Sequence, residues 1–187
     1  NGHKLTSTAG RAINIDTTGK VVISNLTINA GERAINIINK ASTVELNNVT
    51  ATAKNNAVMI ATSAGAVKLT INDSDLTGLA VVNVAGPNSK ATITDTEIVC
   101  VDANKDEDYG AITVWTSAEN AEVVVNGGKV TAADDSVAAV VFPNSATVTF
   151  NETAGAPVVD AIVATIGDAG FKTLAAAIKE AKAGQTI

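Results

Sequence analysis

The chain has 187 residues, a formal net charge of −6 and a pI near 4.7. Its 13 Lys and Arg residues against 19 Asp and Glu argue against a nucleic-acid partner, because contact with phosphates needs a basic face. The single cysteine excludes an intrachain disulfide, and no segment reaches the roughly 18 apolar residues of a membrane-spanning helix.

The apolar residues make up 46% of the chain and the aromatic residues only 3%. The core must therefore be built from Val, Ile, Leu and Ala, which suits a narrow interior that has room for branched aliphatics and little room for rings. The length is compatible with one such domain.

Taken from the N-terminus, the sequence predicts an incomplete first coil at residues 1–18. Two regular repeats follow at 19–41 and 42–66. Each repeat opens with an alternating apolar run that ends in a small polar turn. It closes with the pattern Ala-apolar-x-apolar. The opening run returns at residues 21–28, 44–51, 69–76, 91–98, 123–130 and 148–155, and the closing pattern at 12–15, 34–37, 57–60, 80–84, 111–114 and 139–142.

The polar turns of the opening run fall on Asn25, Asn48, Asp73, Asp95, Gly127 and Glu152, which are 23, 25, 22, 32 and 25 residues apart. Periods of this length are typical of solenoids, and the alternation of period two within each repeat indicates strands. The sequence thus predicts an all-β fold: a right-handed, single-stranded parallel β-helix of about seven rungs over residues 1–165. The right hand follows from the preference of parallel crossovers.

The fourth rung, 90–120, is the long one, and its extra residues lie at 99–110. Oxygen-bearing side chains at alternate positions of this loop predict a Ca²⁺ site; they are Asp102, Asn104, Asp106 and Asp108. A solvated acidic loop is the alternative, because Glu107 stands where an EF-hand loop has its glycine and Thr113 where it has its last carboxylate.

Tyr109 and Trp115 flank the return of this insertion and are the only Tyr and Trp of the chain. Together they predict a small stacking platform for a glycan. The alternative is that Trp115 simply covers the flank of its rung. Cys100 lies among apolar neighbours and is predicted to be a buried small residue.

Residues 166–187 are predicted to be a linker and a capping helix. From 171 to 182 the period changes to that of an amphipathic helix whose apolar face is formed by Phe171, Leu174, Ile178 and Ala181. A helix of about three turns does not hold alone in water, so this face needs an assembly partner.

The two ends of the chain resemble a known family. Asn1-Gly2-His3-Lys4-Leu5 is similar to an "LNGxxL" opening coil, and residues 166–168 (IGD), 171–178 (FKTLAAAI) and 183–187 (AGQTI) are similar to a module-start signal, "IGD…(F/Y)xTLxxAIxxAxxGxTI". Both occur in the pectin-lyase-like parallel β-helices of large bacterial surface proteins. The resemblance implies an extracellular or cell-surface location. Because the start signal lies last, it also implies that the helix caps either this rod or a following module.

We therefore expect a non-enzymatic, structural or adhesive extracellular module that stacks head to tail with adjacent copies or modules in a tandem array or fibre. Glycans are the other expected partner, and Ca²⁺ is the one cofactor considered. A carbohydrate-binding or lyase-like polysaccharide-cleaving β-helix is the alternative. Cleavage is disfavoured because no rung presents several carboxylates with a basic residue on a strand face. Arg11 and Arg33 align in adjacent rungs, where they could form a small anion-binding ladder.

Overall fold

A computed structural model describes residues 2–101, 109–134 and 138–151, and the backbone of 158–159, 164–166 and 169–171. These residues contain strands and no helix. The strands wind into a parallel β-solenoid of about six turns, against the seven predicted. The all-β prediction is confirmed.

Each turn of the solenoid contributes strands to three faces. Face 1 is formed by the first halves of β3 (Lys20–Ala30) and β5 (Thr43–Ala53), followed by β7 (Lys68–Asn72), β10 (Lys90–Thr94), β13 (Glu122–Asn126) and β16 (Thr147–Asn151). Face 2 is formed by β1 (His3–Ser7), the second halves of β3 and β5, β8 (Asp75–Gly78), β11 (Glu97–Cys100), β14 (Lys129–Thr131) and β17 (Val158–Val159). Face 3 is formed by β2 (Arg11–Ile15), β4 (Arg33–Ile37), β6 (Asn56–Ile60), β9 (Val82–Val84), β12 (Ile112–Val114) and β15 (Val140–Val141).

The strands pair in the register that the repeat predicted. Like side chains stack from turn to turn in columns, and the six Ala-apolar-x-apolar segments all contribute to face 3. One inward column on face 1 runs through Ile23, Leu46, Ile71, Ile93, Val125 and Phe150. Each fully buried aliphatic side chain contributes roughly 1.5–3 kcal/mol before the entropy of ordering is subtracted. This column and its neighbours form the core.

The corner between faces 1 and 2 is made by residues in the left-handed backbone region. Asn25, Asn48, Asp73, Asp95 and Gly127 have φ of 55°, 52°, 47°, 47° and 70°. These are five of the six predicted turn positions, and the sixth, Glu152, lies outside the described residues. Short polar side chains and glycine tolerate this conformation, so the corner is set by residue type.

Hydrogen bonds between equivalent side chains tie the turns together. The Nδ2 group of Asn48 donates to Oδ1 of Asn25 at 2.8 Å, and Asn72 donates to Asn47 at the same distance. On face 1, the Nζ of Lys20 lies 2.8 Å from Oε2 of Glu45. This lysine, and secondly the Asn47 amide, lower the pKa of the Glu45 carboxyl from its ordinary value of 4.5.

The parallel stack of face 3 ends in an antiparallel hairpin. It consists of β18 (Ala164–Ile166) and β19 (Ala169–Phe171), and β19 pairs with β15. The hairpin spans the predicted boundary between residues 165 and 166. Phe171, the predicted first apolar residue of the helix, is the last residue of β19. The rest of the predicted helix, with Leu174, Ile178 and Ala181, lies outside the described residues.

Candidate functional site: a groove on face 3

The outward side of face 3 is recessed. The column of outward side chains is Asn14, Asn36, Met59, Asn83, Thr113 and Val141. Outward residues of a sheet are ordinarily solvated, but Asn36, Met59, Asn83 and Thr113 are at most 6% exposed. Met59, Asn83 and Thr113 form the floor of a groove that runs along the axis of the solenoid.

Tyr109 and Trp115 come from opposite ends of β12 and meet in this groove. Their ring centroids are 6.4 Å apart, and the ring planes are inclined by 21°, which is a stacked arrangement. Trp115 remains 39% exposed. The pair lines a recess on each side of it, one of about 400 Å³ and one of about 340 Å³. The juxtaposition that the sequence suggested for these two residues is therefore present.

The larger recess carries a hydrogen-bonded polar wall. Nε of Arg33 donates to Oδ1 of Asn56 at 3.1 Å, and Nδ2 of Asn56 donates to the carbonyl of Ala80 at 2.6 Å. Oε1 of Glu32 lies 3.6 Å from the same Nε. The guanidinium charge is therefore partly neutralised, and its position is fixed by its neighbours.

Asn83 lies in the floor of this recess and, unlike the residues of the wall, has a side-chain oxygen that accepts no hydrogen bond from the described residues. The residue is 3% exposed, and its Oδ1 atom has no donor among the described residues. Leaving a buried amide oxygen unpaired costs free energy, and such groups are uncommon in folded proteins. An acceptor in this position is suited to a ligand that donates a hydrogen bond.

The smaller recess lies beyond the aromatic pair and is more apolar. Val141, Phe142 and Pro143 line it from the next turn, together with Thr113. The Thr113 hydroxyl both donates to and accepts from the backbone of Gly110, at 3.0 Å in each case. The groove thus has a polar half and an apolar half, with stacked rings between them.

Of the remaining predicted residues, the proposed Ca²⁺ ligands are not described by the structure, whereas Cys100 is. Asp102, Asn104, Asp106 and Asp108 lie outside the described residues, so the Ca²⁺ site stays a prediction. The part of the chain that the structure describes holds no group of three or more His, Cys, Asp or Glu placed to bind a metal. Cys100 is 3% exposed, which confirms its predicted burial.

Arg11 and Arg33 do pair in adjacent turns. Glu32 lies between them, with Oε2 3.9 Å from Nε of Arg11 and Oε1 3.6 Å from Nε of Arg33. A carboxylate of the chain itself thus occupies the position that the sequence suggested for a bound anion.

Sequence reasoning missed Arg33, Asn56 and Asn83 as parts of one site. The available signal was the outward position just before the last apolar residue of the Ala-apolar-x-apolar pattern, which holds Asn in three of the six copies. The identity of the wall could not be read from the sequence, because it depends on which corner residues fold over the groove.

Searches against protein families, curated proteins and solved structures found no match for this chain. The solenoid fold rests on the structure, and the pectin-lyase-like assignment stays a prediction from the end motifs. In the described part of the chain, no helix has the length and hydropathy needed to cross a bilayer.

Proposed function

We propose that this chain is a non-enzymatic structural module that extends a β-helical rod by end-to-end stacking. The observation that carries the proposal is the in-register parallel stacking of the turns up to β1, which is an edge strand of face 2 among the described residues. We further propose an extracellular, bacterial-surface setting, which is supported by the resemblance of the end motifs alone.

The edge in question is that of β1, the strand of face 2 nearest the N-terminus. It pairs with β3 along one side, and no described strand pairs along its other side. Leu5 continues the inward column of Ile28 and Ala51, yet it is 36% exposed while those two residues are fully buried. A parallel edge with an uncovered apolar column is a template for a further strand of the same kind.

The occupant that fits this edge is another turn of the same solenoid, from an adjoining module or from another copy. Strands at the ordinary 4.8 Å spacing would continue the hydrogen-bond ladder and cover Leu5. Contacts of this kind between unlike ends do not close into a ring and so produce rods or fibres.

Sedimentation velocity over a wide concentration range, with electron microscopy, tests the stacking. Leu5→Lys places a charge in the inward column and should abolish concentration-dependent growth. Thr6→Lys is the matched control, because the neighbouring residue belongs to an outward column and should leave growth intact. A wild-type particle that stays monomeric and short at high concentration would contradict intermolecular stacking.

A second candidate function, carbohydrate binding, is favoured by the exposed aromatic pair in the groove. Flat aromatic rings beside polar groups suit the alternating apolar and hydroxylated faces of a sugar. Glycan-array binding that is lost in Trp115→Ala, but kept in Val22→Ala, would support it. Val22 is a suitable control because it is an exposed apolar residue on face 1, with 51% of its surface accessible.

A further inference from the structure

We propose that the larger recess beside Trp115 binds a neutral, hydroxyl-rich sugar residue, with Asn83 as the acceptor that selects it. This inference rests on the carbohydrate-binding candidate above and specifies its ligand. It assigns to Arg33, Asn56 and Asn83 a role that their place in the solenoid does not require.

Within the described chain, Asn83 lacks a hydrogen-bond donor for its side-chain oxygen. Its Oδ1 is buried in the floor without a donor from the described chain, so a ligand gains most by presenting a hydrogen-bond donor there. A sugar hydroxyl both donates and accepts, so it can supply such a donor. An ionised carboxylate is acceptor-only, so it has no hydrogen to donate to this amide oxygen.

The positive charge in the polar wall of the recess is largely offset by its neighbours. Arg33 is the cation of the recess, but it is shared with Glu32 and held by the amides of Asn56 and Asn36. Two of the five N–H groups of the guanidinium are used in these amide bonds. The others can donate to sugar hydroxyls, whereas a bound acid would find a cation whose charge is already countered.

The two aromatic rings are placed where a sugar in the recess could stack on them. Trp115 and Tyr109 stand at the boundary of the recess and line it together with Asn83. A sugar ring that stacks on the 39% exposed indole therefore directs its equatorial hydroxyls toward the polar wall and floor. Stacking supplies affinity, and the unpaired acceptor supplies selectivity.

Isothermal titration of the intact chain with defined neutral oligosaccharides (gluco-, manno-, galacto- and xylo-series) and with uronic-acid oligomers tests this inference. We expect a neutral series to bind with an affinity that changes little with salt, and Asn83→Val to weaken it about tenfold, the effect of one lost hydrogen bond. Trp115→Ala should weaken binding by a similar factor, and Val22→Ala should not.

Three results would overturn the inference. Preferential, salt-sensitive binding of uronic acids would show that the ligand is acidic and not neutral, and the carbohydrate-binding candidate would still stand. Unchanged affinity of Asn83→Val for a neutral sugar would remove Asn83 as the selecting group. Absence of binding by every series at millimolar concentration would remove both this inference and the carbohydrate-binding candidate, while the stacking proposal would stand on its own test.

Discussion

Replacing Asn83 by Val should make the protein more stable while weakening ligand binding. The side chain is 97% covered, since 3% of its surface is exposed, and its Oδ1 lacks a donor in the described chain. An unpaired buried polar group costs about 1–3 kcal/mol, and valine removes that group at nearly the same volume. Valine is also compatible with the column, because Val141 occupies an equivalent outward position two turns away.

We therefore expect Asn83→Val to raise the free energy of unfolding by about 1–3 kcal/mol. For a chain of this size, each kcal/mol corresponds to roughly 2–4 °C in Tm. Urea denaturation followed by circular dichroism gives the comparison, provided that the slope against urea concentration is unchanged between variants.

Thr113→Val is the matched control in the same column. Thr113 is also 3% exposed, but its hydroxyl makes two hydrogen bonds to Gly110. Its removal should destabilise the protein by about 1–3 kcal/mol, opposite in sign to the Asn83 variant. If both variants lose stability, the Asn83 amide is already satisfied in solution, and the reasoning from its unpaired oxygen is refuted.

Three further changes probe the corners and the surface of the solenoid. Asn48→Ala loses a ladder hydrogen bond and forces alanine to φ 52°, so urea denaturation should show a loss of about 1–2 kcal/mol, and Asn48→Gly should cost less. Gly86→Ala places a Cβ against the Ala64 carbonyl and should cost about 1–3 kcal/mol, whereas Gly19→Ala, which has space, should be near neutral in the same assay. Because the pKa of Glu45 is lowered in the folded state, its ionised carboxylate stabilises the fold above pH 4.5, and this stabilisation is lost as the pH falls below that value. The Tm of Glu45→Gln should therefore fall less steeply with decreasing pH than the Tm of the wild type. Equal slopes would contradict this expectation.

The winding of the solenoid could be predicted from the sequence because the corner between faces 1 and 2 needs a left-handed backbone, and the residues there are Asn, Asp and Gly, which tolerate it. The second corner was harder to see. Ala41 and Ala66 adopt φ of 54° and 55°, although alanine has no preference for that region. Their N–H groups donate to the carbonyls of Gly65 and Pro87 on the next turn, each at 2.8 Å, so pairing between turns imposes the conformation. The alanines therefore give no local signal, whereas the next two turns have Asn88 and Asn120 at the same corner, each with φ of 55°.

The terminal hairpin shows a different limit. Alternation of apolar residues indicates a strand but does not indicate whether its partner runs parallel or antiparallel. The parallel β-helix was predicted to extend to residue 165. Within that stretch β16 and β17 pair in parallel, but β18 pairs antiparallel with β19. In the site, the aromatic pair was predictable because Tyr109 and Trp115 flank the return of the insertion and are the only Tyr and Trp of the chain. The role of Asn83 was not, because its unpaired state depends on neighbours from three turns.

The two proposals reinforce each other through the geometry of the groove. The groove runs along the axis of the solenoid, so a copy stacked in register would add its own aromatic pair and its own Asn83 on the same side of the rod. A polymeric glycan would then meet several equivalent sites in line, and linked sites raise apparent affinity by about 10²–10⁴ without any new contact. Stacking should therefore tighten binding of a long polysaccharide and leave the affinity for a short oligosaccharide unchanged. Because Leu5 lies on face 2, away from the groove on face 3, Leu5→Lys should remove only the first effect. Loss of both effects in that variant would mean that the edge and the groove are not independent features.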